Sequence, residues 1–133
     1  MLNRLILDTT VLVSTERGRG ILDAAIDDDD DVAIAAITVA ELLVGVELAT
    51  ARHRARRSAF VAGVLDTLTV EDYTVETARM HAALLAATRR EGRQRGAHDL
   101  IIAATARSTR RILVTADDRG FRDLPDIETR VAG

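Results

Sequence analysis

Carboxylates are the only reactive side chains that this 133-residue chain holds in quantity. Four of them sit at positions where chemistry is plausible: Asp8, Glu41, Asp99 and Asp117. Asp8 ends the apolar run Leu5-Ile6-Leu7 and is followed by Thr9 and Thr10. Glu41 follows the run Val32–Ile37 by a few residues, and Asp117 follows Ile112–Thr115 by two. Asp99 precedes the apolar stretch from Leu100 to Ala106.

The rest of the inventory removes the alternatives. No cysteine means no thiolate nucleophile and no disulfide framework, which is compatible with a reducing cytoplasm. All 18 basic residues are arginines, so neither a Schiff-base lysine nor a phosphate-loop lysine exists. The three histidines, His53, His81 and His98, have no partner at zinc-ligand spacing. Three aromatics, Phe60, Tyr73 and Phe121, are too few for the stacking platforms of single-strand binders. A net charge of -3 argues against bulk affinity for nucleic acid. No apolar run approaches the ~20 residues of a membrane span, and no secretory signal is visible.

Each acid also has an ordinary structural use. Asp8 could cap a helix beginning at Thr9. Thr38 and Glu41 have the spacing of a capping box, with Thr38 as N-cap. Asp99 would favour a helix N-terminus through the macrodipole. Asp117 could form an Asx turn. The elements decide how much weight those uses carry.

The chain alternates short apolar runs with helical periodicity. Strands are predicted at 5–7, 32–37, 68–70 and 112–115, with an edge strand within 127–131. A short helix or turn is predicted at 9–15, and helices at 19–27, from Thr38 onward, from Arg52 to Leu65, from a Thr74 cap to Arg90, and from Asp99 onward. The strand runs are continuous rather than alternating, as in a parallel sheet covered on both faces. Right-handed crossovers then give a three-layer α/β/α sandwich in one domain spanning 1–133, with a mostly parallel sheet. In that fold ligands bind at the carboxyl ends of the strands. Asp8 and Asp117 follow strands, and Glu41 and Asp99 start helices, so all four reach that edge. Four converging carboxylates repel one another, and a hard divalent cation relieves the repulsion. Mg2+ or Mn2+ suits such donors, and metal-assisted phosphodiester hydrolysis is the matching chemistry.

Leu7-Asp8-Thr9, Thr38-Val39-Ala40-Glu41-Leu42, Ala97-His98-Asp99 with the apolar run to Ala106, and Leu113-Val114-Thr115-Ala116-Asp117 with Phe121 and Leu124-Pro125 occur in this order. Together they resemble the PIN-domain ribonucleases, and the size resembles the VapC toxins of bacterial toxin–antitoxin pairs. The resemblance implies an endoribonuclease dependent on Mg2+ or Mn2+, with Asp8, Glu41, Asp99 and Asp117 as an acidic quartet. Asp8 and Asp99 are then the direct metal ligands. Glu41 and Asp117 orient the attacking water or a second ion, and Thr9 and Thr115 support the acids. Asp118, adjacent to Asp117, is an alternative for the last position. The implied partners are a VapB-type antitoxin, a second copy of the chain, and RNA such as tRNA or rRNA. The apolar faces at 10–27 and 52–65 are candidate antitoxin surfaces.

Arg17, Arg19, Arg93, Arg95 and Arg119 are the candidate RNA contacts. Arg52, Arg54, Arg56 and Arg57 read first as a solvated helical face and second as a phosphate-facing patch. The run Asp27 to Asp31 reads as a solvated turn; calcium loops place acids at alternate positions with a glycine. Two other readings compete. A receiver domain or aspartyl-phosphate phosphatase also places an acid after its first strand, but needs a lysine. A catalytically silent PIN-like module would bind RNA or protein without cutting, and the presence of all four acids argues against it.

Overall fold

A computed structural model describes residues 2–18 and 26–132. Five parallel strands form one sheet in the order β3-β2-β1-β4-β5. The strands are β1 (Arg4–Leu7), β2 (Asp31–Ala35), β3 (Thr69–Glu71), β4 (Ile112–Thr115) and β5 (Thr129–Val131). The helices are α1 (Thr9–Glu16), α2 (Ala36–Glu47), α3 (Ala51–Thr67), α4 (Val75–Glu91) and α5 (Ala97–Thr109). A 3-10 turn covers Asp118–Gly120. The helix predicted at 19–27 falls mostly on residues outside the described ones.

The sheet is central because its strands are apolar on both faces. Leu5, Ile6 and Leu7 have no accessible surface. Leu5 and Leu7 point to one side, with Ile34, Val114, Val11, Leu12, Leu42, Val61 and Val64. Ile6 points to the other, with Leu84, Leu100, Ile102, Leu113 and Phe121. So α1, α2 and α3 cover one face while α4 and α5 cover the opposite one, giving the three layers expected. β1 pairs with β2 (Leu7 opposite Ile34) and with β4 (Leu7 opposite Val114), so it lies in the middle of the sheet. Among the described residues no helix is long and apolar enough to cross a membrane.

Two boundaries differ from expectation. β2 ends at Ala35 and α2 begins at Ala36, two residues before Thr38. Thr38 is therefore inside the helix, completely buried, and does not cap it. The predicted capping box is absent because the Thr38 hydroxyl is taken by tertiary packing, 3.1 Å from Thr9 Oγ1. By contrast, Thr74 does cap α4, in a reciprocal box with Thr77. Gly92 closes that helix in the left-handed region at φ 69°, where a residue without a Cβ is least strained.

The charged runs have structural uses that the sequence does not display. Asp30 accepts from the backbone amides of Asn3 (3.3 Å) and Asp27 (2.9 Å). Asp31 pairs with Arg4 at 3.0 Å and with Arg111 at 3.2 Å. Only Asp27 to Asp29 form the solvated part of the run. Arg54 donates to the carbonyls of Glu47 and Ala49, and Arg57 to that of Gly45, so two of the four clustered arginines satisfy the C-terminal end of α2.

Candidate active site at the carboxyl edge

Asp8 follows β1 and occupies the N-cap position of α1, yet its side chain accepts nothing from the helix amides. It is nearly inaccessible, at 3% exposure. One oxygen, Oδ2, accepts from Thr10 Oγ1 at 2.7 Å and lies 2.8 Å from Thr115 Oγ1. No hydrogen bond within the described residues reaches its other oxygen, Oδ1. The carboxylate is thus fixed by two hydroxyls on one oxygen, with the second left for a ligand. Thr10 is anchored in turn by the amide of Ala116 (3.2 Å), and Thr115 by the amide of Asp117 (3.1 Å).

Glu41 lies in the second turn of α2, because that helix starts early. This removes its capping use. Its Oε1 accepts from Thr9 Oγ1 at 2.9 Å, and its Oε2 lies 3.6 Å from His98 Nδ1. Thr9 therefore serves Glu41, and it is Thr10 that holds Asp8. Asp99 stands in the first turn of α5, where the helix end favours its charge. Burial pushes its carboxyl above the usual carboxylate range. The negative charges of Asp8, Glu41 and Asp117 push the same way, against His98. The acid from each of the other three segments is therefore close enough to be felt at Asp99.

Asp117 caps the 3-10 turn, accepting from the Arg119 amide at 3.1 Å. Arg119 also wraps its carboxylate, with Nε 2.9 Å from Oδ1 and 2.8 Å from Oδ2 and with Nη2 on Oδ2. Those hydrogen bonds hold the Asp117 carboxyl down to about 2. Asp118 turns instead to Arg122 at 3.0 Å and is not among the charges acting on Asp99. Of the two neighbours, Asp117 is the one whose charge reaches Asp99.

Sequence reasoning missed four contributors. Thr10 and His98 touch the acids directly, and Thr38 bonds to Thr9, which holds Glu41. Gly120 is the fourth: a Cβ built on it would run into Asp99 Oδ2, and one on Gly96 would come within 3.1 Å of the same atom. Two glycine backbones thus cradle the Asp99 carboxylate. The signal available was the pair of glycines flanking the two acidic segments.

Among the described residues no three carboxylate or histidine side chains are placed to close on one ion. Asp117 is turned into Arg119 and Glu41 into Thr9. Mg2+ asks for less, since it keeps several waters and is bound through one or two carboxylates. The buried Asp8, with one oxygen committed and one free, and the mutually repelled Asp99 fit that demand.

A family model for the PIN domain matches residues 5–127. The chain belongs to the PIN-domain family. Ribonuclease VapC5 of Mycobacterium tuberculosis is 42% identical over 116 residues, covering 85% of this chain and 82% of the relative. The solved VapBC-5 toxin–antitoxin structure from Mycobacterium tuberculosis superposes with a TM-score of 0.79 at 33% identity, covering 96% of each chain. VapBC2 from Rickettsia felis, solved bound to a DNA fragment from its promoter, gives a TM-score of 0.86 at 21% identity over 96% of this chain and 98% of that one, a likeness of fold. The PIN domain's relatives are therefore VapC ribonucleases, and its structural neighbours include toxin–antitoxin complexes.

Proposed function

We propose that this PIN domain is an endoribonuclease that hydrolyses RNA phosphodiester bonds with the help of Mg2+, or Mn2+, and acts as the toxin of a toxin–antitoxin pair in the cytoplasm. The observation that carries the reading is the meeting of four acids from four separate segments at one sheet edge, in a cradle of hydroxyls and glycine backbone. None of the acids is needed there to cap a long helix. The VapC relatives supply the substrate class.

Asp8 and Asp99 would hold the ion. A divalent cation there lowers the pKa of a bound water and offsets charge on a phosphate oxygen. Thr10 and Thr115 fix Asp8, and the backbones of Gly96 and Gly120 fix Asp99. Glu41, positioned by Thr9, presents Oε2 as the acceptor for a proton leaving the attacking water. Asp117 restrains Arg119 at the mouth of the site. RNA, with tRNA or rRNA as the favoured class, enters from the exposed carboxyl edge.

A VapB-type antitoxin and a second copy of the chain are the proposed partners. A cavity of about 440 Å³ between α1, α2 and α3 adjoins Glu41 and is lined by Val13, Arg17, Leu42 and Val61 among others. Leu43 and Val44 on α2, Leu48 just after it, and Leu65 on α3 stand exposed. The exposed apolar residues beside this largely polar cavity support antitoxin docking on this side, with Leu65 the one that lies on the expected 52–65 face. The deciding experiment is cleavage of total RNA by purified protein with Mg2+, with Mn2+ and with EDTA. Cleavage that persists unchanged in EDTA, and equally in the Asp8→Asn protein, would sink the metal-dependent reading.

A further inference from the structure

Beside the acidic edge lies a second cavity of about 400 Å³, lined by Arg93, Gln94, Arg95, Arg119, Arg122 and Asp123. Four guanidinium groups face one carboxylate in that lining. Three of the arginines have acidic neighbours: Arg93 with Asp123 (3.4 Å), Arg122 with Asp118 (3.0 Å), and Arg119 with Asp117. The Arg93 pair is a single exposed contact worth ~0–1 kcal/mol, so an incoming anion displaces it readily, whereas several hydrogen bonds hold Arg119 on Asp117.

Arg95 differs. Its Nη1 donates to the carbonyl of Gly120 at 3.3 Å. Its Nε and Nη2 are shielded from solvent and meet no acceptor among the described residues. An arginine cannot discharge itself, and buried donors without acceptors are costly. Nε and Nη2 form one edge of the guanidinium, the fork that takes two oxygens of a phosphate side by side. Bidentate binding requires that edge to turn into the cavity, with the Nη1 anchor as the pivot. The anchor is Gly120, the residue whose backbone cradles Asp99, so cavity and acidic site share a wall.

We propose that this cavity binds a backbone phosphate of the RNA next to the bond being cut, with Arg95 as its bidentate ligand. The proposal rests on the ribonuclease reading for its ligand, and on the arginine geometry for its place. Arg95 sets where the strand lies relative to Asp99 and takes no part in proton transfer.

The test measures binding of a fluorescein-labelled single-stranded oligoribonucleotide of mixed sequence to Asp8→Asn protein in EDTA, across a salt series. Adding Arg95→Met should weaken binding about tenfold or more. The slope of log affinity against log salt should fall by about 0.7. Arg95→Lys should recover only part of the loss, because an ammonium cannot fork. Arg93→Gln, on the exposed rim, should weaken binding by less. Arg107→Met, at the opposite end of α5, should change nothing. The melting temperature of the Arg95→Met protein should hold or rise, which a purely structural arginine would not allow. Unchanged affinity and salt slope in both Arg95→Met and Arg93→Gln, with a wild-type protein that cleaves RNA, overturn the subsite alone. Arg95-dependent binding without any cleavage overturns the nuclease reading and leaves the subsite standing. Displacement of the RNA by micromolar inorganic phosphate would mark a free-anion site and overturn the assignment.

Discussion

Gly120→Ala acts directly on the geometry of one carboxylate. Gly120 is not in the left-handed region, so alanine is tolerated by the backbone there. The new methyl lands on Asp99 Oδ2 and within 3.1 Å of Asp99 Cγ, where ordinary contacts begin at 3.4 Å. The carboxylate must therefore move by roughly 1 Å, a displacement of the size that costs on the order of 10²-fold in rate at a positioned catalytic group. Its cost in stability is limited to an off-rotamer side chain, about 1 kcal/mol. Gly63→Ala is the matched control, since nothing stands within 4 Å of a Cβ there and the residue lies in α3. It should leave cleavage untouched and raise stability by about 0.5–1 kcal/mol. The assay pairs initial cleavage rates in Mg2+ with thermal unfolding by circular dichroism. A Gly120→Ala protein that cuts RNA as fast as wild type, with an unaltered melt, would show that Asp99's placement does not matter and refute the site.

Other substitutions separate chemistry from folding. Asp99→Asn should abolish cleavage yet raise the melting temperature of the metal-free protein at neutral pH. The raised pKa of Asp99 means that the folded state holds more protons than the unfolded one above the ordinary carboxylate range. Wild-type stability should therefore fall as pH rises through that window, a slope that Asn reduces and that melts at several pH values reveal. Millimolar Mg2+ should raise the wild-type melting temperature, through binding to the folded state only, and should lose that effect in Asp8→Asn. Arg119→Gln should return the Asp117 carboxyl from about 2 towards the ordinary carboxylate range, readable by carbon-detected NMR titration. Arg111→Ala should destabilise the fold by about 1–3 kcal/mol in chemical denaturation, because it removes the donor to the buried Leu5 carbonyl and a partner of half-buried Asp31 and Glu71. The Arg111 side chain is 3% exposed and reaches Asp31 at 3.2 Å and Glu71 at 3.4 Å.

The layers and the sheet edge were legible because the strand runs are uninterrupted apolar stretches and because each acid follows or precedes one. Asp8, Glu41, Asp99 and Asp117 could be placed by topology alone. What could not be read is which hydroxyl serves which acid. Thr9 and Thr10 are adjacent and chemically alike, and only the helical turn sends one to Glu41 and the other to Asp8. The early start of α2 was hidden for a related reason: Thr38 has the chemistry of a cap, but its hydroxyl is consumed by a residue 29 positions away. Arg111 looks like any of the other arginines in sequence, and its burial depends on neighbours that are remote along the chain.

The hydrogen bond between Thr115 and Asp8 spans 107 positions. Asp8 is therefore made 107 positions before the residue that holds it in place. Until β4 docks, β1 has one open edge and Asp8 lacks the hydroxyl and backbone frame on that side. The amide of Asp8 itself bonds to the carbonyl of Val114. A chain stopped before Ile112 carries three of the four acids and no assembled pocket. Parallel pairing of this kind is slow to form because the closing loop is long. The order of synthesis thus leaves a growing chain with its acids unassembled until β4 has been made and docked.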